Sequence, residues 1–327
     1  MGTYHLDEEL TPSISALPRI DRTDIAQARK ITSSRFAGSG RSDALEKGVT
    51  VQEHSGTGED GESFRLRVYR PEHRTNRGVV YHVHGGGFIL GDLETDHLRT
   101  LEIAREVGSV VVAVEYRLAP EWPFPTPVED VYCGLAWLHE RAAALDVDPS
   151  LVVLHGVSAG GALAASTALL ARDRNGPPIC FQFLKSPVLD DRLATASSIR
   201  FTDTPALHRR DAELCWSAYL GPLGRGTGAV PPYAAPARAN DLTGLPRTYV
   251  SVAEFDPLRD EGIDYARALL AAGVPVEVHL FPGTYHGSGA VREAAVSRRE
   301  LAEEVAVLRK AVTRTPRPAT ARAGEGG

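Results

Sequence analysis

The sequence predicts an α/β fold, a mostly parallel sheet with helices on both faces. From residue 78 onward, strand-like apolar runs alternate with helical stretches, the rhythm of βα units whose crossovers cover a sheet on two sides. Val110 to Tyr116 is nearly all apolar, as strands buried on both faces are. Leu151-Val152-Val153-Leu154 runs straight into Gly156-Val157-Ser158-Ala159-Gly160, and Ala162 to Leu170 follows as a helix of small residues. Strand, sharp turn with a central serine, then helix is the setting of a nucleophile elbow. The serine takes a strained conformation there, and strand and helix crowd positions 156 and 160 so that only hydrogen fits.

Taken in order, residues 1–45 are polar with weak helical patterning around Ile25 to Ile31 and a break at Gly38-Ser39-Gly40, which reads as an N-terminal helical arm. Val49 and Val51, then Phe64, Leu66 and Val68, alternate with polar residues across a turn-like Gly56 to Gly61, the pattern of a half-buried hairpin. Gly78 to His84 is a third strand ending in Gly85-Gly86-Gly87-Phe88, and a helix is expected from about Asp96 to Val107. Pro120, Pro123, Pro125 and Pro127 interrupt the chain, and helix is expected to resume at Val128. Ile179 to Leu184 is the strand after the elbow helix. Residues 191–238 then lack a clear strand, with helical character only at Asp211 to Leu220, and read as an insertion. Thr248 to Val252, a helix from Asp260 to Ala272, Val276 to Phe281 and a helix from about Val291 to Val312 restore the rhythm. The core is therefore expected at 46–190 and 239–312, with 313–327 as a frayed tail.

The chain has 327 residues and a net charge of −6, a mild acidity that argues against nucleic-acid or membrane-surface binding. Cys133, Cys180 and Cys215 are sparse and far apart, which suggests free thiols in a reducing compartment; Cys133 and Cys180 sit in apolar stretches and read as core. The start of the chain lacks a basic and apolar leader, and no apolar run is long enough to span a membrane. A cytoplasmic location is the expectation, and a homodimer is compatible with it.

A serine nucleophile needs a base, a group to orient that base, and donors for the oxyanion. Asp256 and His286 each sit in a loop just past a strand end, where open parallel sheets place their sites. The order Ser158, Asp256, His286 is that of α/β sheets built around such an elbow. Asp256-Pro257 also suits an ordinary turn, and Glu254 and Asp260 compete as the acid, Asp260 with a rival role as a helix cap. Gly86 and Gly87, with Ala159 of the elbow, are the oxyanion donors. His82 and His84 share one strand at i and i+2, but no third ligand is suitably spaced, so no metal is expected. There is no dinucleotide fingerprint or P-loop, and no cofactor is expected.

His84-Gly85-Gly86-Gly87-Phe88, Tyr116-Arg117-Leu118-Ala119-Pro120-Glu121, Gly156-Val157-Ser158-Ala159-Gly160-Gly161, Asp256-Pro257-Leu258-Arg259-Asp260-Glu261 and His286-Gly287 together resemble the hormone-sensitive-lipase-like esterases, the bacterial family IV carboxylesterases of the α/β-hydrolase fold. The resemblance runs from about residue 64 to 312. It implies an eight-stranded sheet with one antiparallel strand, a helical cap, a Ser158–Asp256–His286 triad, and oxyanion donors at Gly86, Gly87 and Ala159; the arm and the insertion, which have no place in the sheet and must bury an apolar face, are the segments expected to form that cap. Two positions depart from the family pattern. Val157 replaces the usual Asp or Thr, and Ser288 stands where many relatives have Phe. The expected function is hydrolysis of short-chain acyl esters through an acyl-enzyme, with a small-molecule ester as the substrate. A pathway-specific deacetylase, lactonase or dehydratase on the same site, or a non-catalytic small-molecule receptor, are the alternatives.

Overall fold

A computed structural model describes residues 4–18, 20–37 and 46–313. The break expected at Gly38-Ser39-Gly40 and the tail beyond Thr313 lie outside the described residues. The strands are β1 (Val49–Thr57), β2 (Ser63–Pro71), β3 (Val79–Val83), β4 (Val110–Glu115), β5 (Val152–Val157), β6 (Phe181–Lys185), β7 (Arg247–Phe255) and β8 (Val276–Tyr285). They form one sheet in the order β1-β2-β4-β3-β5-β6-β7-β8. β2 runs against both its neighbours, and every pairing from β4 to β8 is parallel.

The order places the site. The chain leaves β3 to form β4 on one side and returns to form β5 on the other. The crossovers diverge at that point and open a crevice beyond the carboxyl ends of β3 and β5. The glycine loop follows β3 and the serine turn follows β5, so both border it.

The helices are α1 (Ile25–Ala37), α2 (His97–Val107), α3 (Thr126–Glu140), α4 (Ala159–Asp173), α5 (Ala196–Arg200), α6 (Arg209–Leu220), α7 (Arg259–Ala271) and α8 (Ala295–Ala311), with shorter turns between them. α3, α4 and α7 cover one face of the sheet, and α2 and α8 the other. Alternation along the central strands separates two cores. Val79, Tyr81, Val83, Val152 and Leu154 face the first, while Val80, Val111, Val153 and Phe183 face the second. Helix α3 begins two residues before the sequence expectation. Pro127 falls in its first turn, where a missing N–H breaks no helical bond. β8 runs on to Tyr285, four residues past the expected end, and so carries its pairing with β7 up to the residue before His286.

The segment 191–238 is tied at its base. Arg238 reaches both carboxylate oxygens of Asp191 at 2.5 and 2.9 Å, so its first and last residues meet in a bidentate pair. Above it, Arg22 of the N-terminal segment meets Asp211 of α6 at 2.9 Å. Earlier in that segment, Leu10 packs with Phe281 and Tyr285 of β8. All three cysteines are free. Cys133 and Cys180, expected to be core rather than reactive, are half-buried and pack against the first and second core, and Cys215 is fully buried. Among the described residues, no helix is long and apolar enough to cross a membrane.

Under the second face lies a charged knot. Glu304 of α8 is 2% exposed and touches Arg99 at 2.7 Å and Lys185 at 3.2 Å. Burial alone would raise its carboxyl pKa, but Arg99, Lys185 and His155 together outweigh burial and hold it well below the ordinary value of 4.5. A depressed carboxyl stabilises the fold above its unfolded pKa, and that contribution is lost as pH falls through the folded value. Glu304→Gln should therefore cost about 2–3 kcal/mol in urea unfolding at pH 7. The gap to wild type should narrow once pH drops below the ordinary carboxyl value; a gap that widens in acid contradicts this account.

Candidate active site

Ser158 lies between β5 and α4 with φ 55° and ψ −118°, a conformation that only a fully constrained L-residue keeps. Its N–H donates to the Lys185 carbonyl at 2.8 Å, and its carbonyl accepts from Gly161, Ala162 and Val188. The neighbouring glycines explain the constraint. A Cβ on Gly156 would fall on the Gly160 carbonyl, and one on Gly160 would fall on the carbonyls of Val83 and His84. The helix can press against the ends of β3 and β5 only because those side chains are absent.

Two strand ends away, β7 and β8 deliver the partners. Ser158 Oγ lies 2.9 Å from His286 Nε2, and His286 Nδ1 lies 2.7 Å from Asp256 Oδ2. Since the carboxylate can only accept, Nδ1 carries the proton and Nε2 faces the serine as an acceptor. Asp256 also takes the Leu258 N–H at 2.9 Å, which fixes the carboxylate plane. The Asp256 side chain is 1% exposed and that of His286 15%, so the acid is sealed while the imidazole edge stays within reach of a ligand.

The competing acids have other work. Glu254 accepts the Gly283 N–H at 2.7 Å and so ties β7 to β8. Asp260 does not cap α7, whose N-cap is Leu258 with no side-chain bond. Its carboxylate instead accepts the Ser197 N–H at 2.7 Å and pins α5. A partner 63 residues away in sequence outcompetes the local cap.

The glycine loop stands over the serine turn. A Cβ on Gly85 would sit 3.1 Å from the Val157 carbonyl and 3.3 Å from Ser158 Cβ. Gly86 and Gly87 have φ 125° and 63°. Among the described residues, the N–H groups of Gly86, Gly87 and Ala159 make no hydrogen bond within the protein. His84 anchors the loop: its ring stacks on Tyr116 at 4.3 Å, and its Nδ1 donates to the Gly85 carbonyl at 2.7 Å. Burial lowers its pKa, which keeps the ring neutral.

His82 and His84 do not act together. His82 Nδ1 meets Nδ1 of His155 at 2.7 Å, and its Nε2 meets Asp96 at 3.2 Å. One ring of that pair must donate and the other accept, so their tautomers are coupled. No group of three or more His, Cys, Asp or Glu among the described residues is arranged to hold a metal ion. At the two positions that depart from the family pattern, Val157 is half-buried and Ser288 is buried, its carbonyl accepting from Ser297 Oγ at 3.2 Å.

Glu261 was not singled out in the sequence. It is 2% exposed and accepts the Leu189 N–H at 2.7 Å, holding the chain after β6. Burial first, then the nearby Asp190 and Asp256 charges, push its carboxyl well above the ordinary value. Its sequence signal is its place at the end of the motif Asp256-Pro257-Leu258-Arg259-Asp260-Glu261.

A family model described as the α/β-hydrolase fold matches residues 80–289. The chain is 43% identical over 226 residues to carboxylesterase NlhH of Mycobacterium tuberculosis, covering 68% of this chain and 70% of that protein. Esterase LipI of Mycobacterium tuberculosis is 39% identical over 224 residues, with 68% and 69% covered. Among solved structures, a bacterial heroin esterase superposes with a TM-score of 0.91 at 46% identity, covering 94% of this chain and 98% of the other. Esterase LipW from Mycobacterium marinum gives 0.87 at 38% identity, covering 95% and 97%.

The steric account of the serine turn has a direct test. Gly160→Ala should destabilise by about 3 kcal/mol, because the carbonyls in its way are main chain and cannot swing aside. Gly228→Ala, with nothing within 4 Å, should stay within about 0.5 kcal/mol of wild type. Equal urea midpoints for the two variants would refute the crowding argument.

Proposed function

The chain belongs to the hormone-sensitive-lipase-like carboxylesterases of the α/β-hydrolase fold, and on that premise we propose that it hydrolyses short-chain acyl esters, with Ser158 as nucleophile, His286 as base and Asp256 as the acid that orients it. The observation that carries the reading is the hydrogen-bonded run from Ser158 through His286 to Asp256. Ser158 Oγ attacks the ester carbonyl as His286 Nε2 takes its proton. Asp256 stabilises the imidazolium. The N–H groups of Gly86, Gly87 and Ala159 take the oxyanion. His286 returns the proton to the departing alcohol, leaving an acyl group on Ser158, and then activates the water that releases the acid. The residues need no cofactor for these steps. A receptor would not need a proton acceptor on the serine, and a deacetylase, lactonase or dehydratase is not favoured by relatives named as esterases.

The N-terminal segment and residues 191–238 form the cap in this proposal. Phe88 of the glycine loop stacks on Tyr219 of α6 at 4.0 Å and meets Trp216 at 5.3 Å, which supports a cover over the oxyanion donors. The proposal also includes a cytoplasmic setting, consistent with three free thiols. A homodimer could use the edge strand β8, which exposes Val278 and Leu280.

Asp256→Asn should lower kcat by roughly 10^4, because the amide favours the wrong imidazole tautomer. Glu254→Gln and Asp260→Asn should fall far less, and a larger loss at Glu254 would move the acid to that position.

A p-nitrophenyl ester series tests the substrate class. Each buried CH₂ adds about 0.8 kcal/mol of binding, so kcat/KM should rise along short chains and then drop where the cap closes the pocket. Acetyl to hexanoyl esters should be good substrates. A maximum at laurate or longer, or strong activation by micelles, would contradict the short-chain reading.

A further inference from the structure

Arg29 of α1 is far in sequence from every residue assigned so far, yet its guanidinium reaches the glycine loop. Nε donates to the Ile89 carbonyl at 2.8 Å, and Nη2 donates to the Ala119 carbonyl at 2.9 Å. Nη1 and Nη2 also hold both carboxylate oxygens of Glu121, at 2.9 and 2.7 Å. Three chain segments therefore meet on one side chain: the helix of the arm, the end of the glycine loop, and the loop after β4.

The residues it grips close the turn that carries the oxyanion donors. The Gly86 carbonyl accepts from Leu90 N at 2.9 Å and from Ile89 N at 3.3 Å, and the Phe88 carbonyl accepts from Ala119 N at 2.9 Å. Ile89 and Ala119 are thus two of the points at which the turn is fastened, beside Leu90 and the His84 ring, and Arg29 bonds the carbonyl of each. The turn needs fastening. Gly86, Gly87 and Phe88 all have positive φ, and for Phe88 this conformation is strained. Donors with no partner in the free protein stabilise an oxyanion only if they are already aimed at it.

We infer that Arg29 is a positioning residue for the oxyanion loop, so that the N-terminal arm is part of the catalytic apparatus as well as its cover. The inference rests on the oxyanion roles proposed for Gly86 and Gly87. The choice of arginine follows from its planar fork, which serves two carbonyls and a carboxylate at once; lysine is a point charge and cannot. Glu121 plays the lesser part. The Arg29 hydrogen bond holds its carboxyl below the ordinary range, so it stays ionised and steadies the fork. Its side chain is 56% exposed, and its loss leaves both carbonyl bonds in place.

The test compares full-length wild type, Arg29→Ala, Arg29→Lys and Glu121→Gln on p-nitrophenyl acetate, with a thermal melt of each. Arg29→Ala should lower kcat about tenfold to a hundredfold, the range expected when reacting groups are misplaced by an ångström, with KM changed much less. Guanidinium at sub-denaturing concentration should restore part of the loss in Arg29→Ala and none in wild type. Arg29→Lys should recover only partly, and Glu121→Gln should stay within about threefold of wild type. An Arg29→Ala enzyme with wild-type kcat overturns the inference. So does a loss that guanidinium does not restore, or one that appears in KM and in the melting temperature but not in kcat. A wild type inert towards every ester would instead overturn the esterase reading beneath it, and this inference with it.

Discussion

The close crossing of α4 over the ends of β3 and β5 sets the geometry of everything nearby. Two glycines make it. With Gly156 and Gly160 bare, the helix start comes within reach of the Val83 and His84 carbonyls, and Ser158 is forced into a conformation costing about 1–3 kcal/mol. That strain lifts the hydroxyl out of the turn. The same crossing leaves the Ala159 N–H at the free start of a helix, where unpaired N–H groups and a partial positive charge coincide. It also sets how near the glycine loop can lie to the serine. One packing contact thus fixes the place of Ser158 and the approach of the glycine loop.

Around that contact the sheet topology supplies direction. Because the crossovers diverge from β3, the glycine loop and the serine turn share a crevice, and β7 and β8 bring Asp256 and His286 to the same edge. The charge arrangement differs between the two faces. The crevice holds a sealed carboxylate and a half-open imidazole. Beneath the sheet, the His82–His155 pair spans β3 and β5, with Asp96 and Glu304 at its two ends. Both histidines belong to the strands that lead into the crevice, and their bond ties β3 to β5 beneath it.

Much of this was legible in the sequence, for identifiable reasons. Parallel strands buried on both faces are written as unbroken apolar runs, so β3, β4 and β5 could be read directly. The serine turn carries its own glycines, and the strand-end positions of Asp256 and His286 follow from the alternation of elements. Residues that act across long separations left no local trace. The His82 partner is 73 residues away, the Asp260 partner 63, and the Arg29 contacts 60 to 92. Pattern reading sets His82 beside His84, without a third ligand, and leaves Asp260 between a rival acid and a helix cap, because only near neighbours are visible in a sequence. Element ends slipped where the chemistry was ambiguous. Pro127 suits either a loop or a first helical turn, and β8, an edge strand exposed along much of its length, lacks the apolar signal that would mark its last residues.

If Ser158 is the activated nucleophile of this site, covalent labelling finds it. The native enzyme would be treated with a fluorophosphonate, and the modified residue located by mass spectrometry of its peptides. A single phosphonyl group is expected on Ser158, formed far more slowly in His286→Ala and absent in Ser158→Ala, with the circular dichroism of all three proteins unchanged. Stoichiometric labelling at another residue, or a Ser158→Ala protein that labels as fast as wild type, would contradict it.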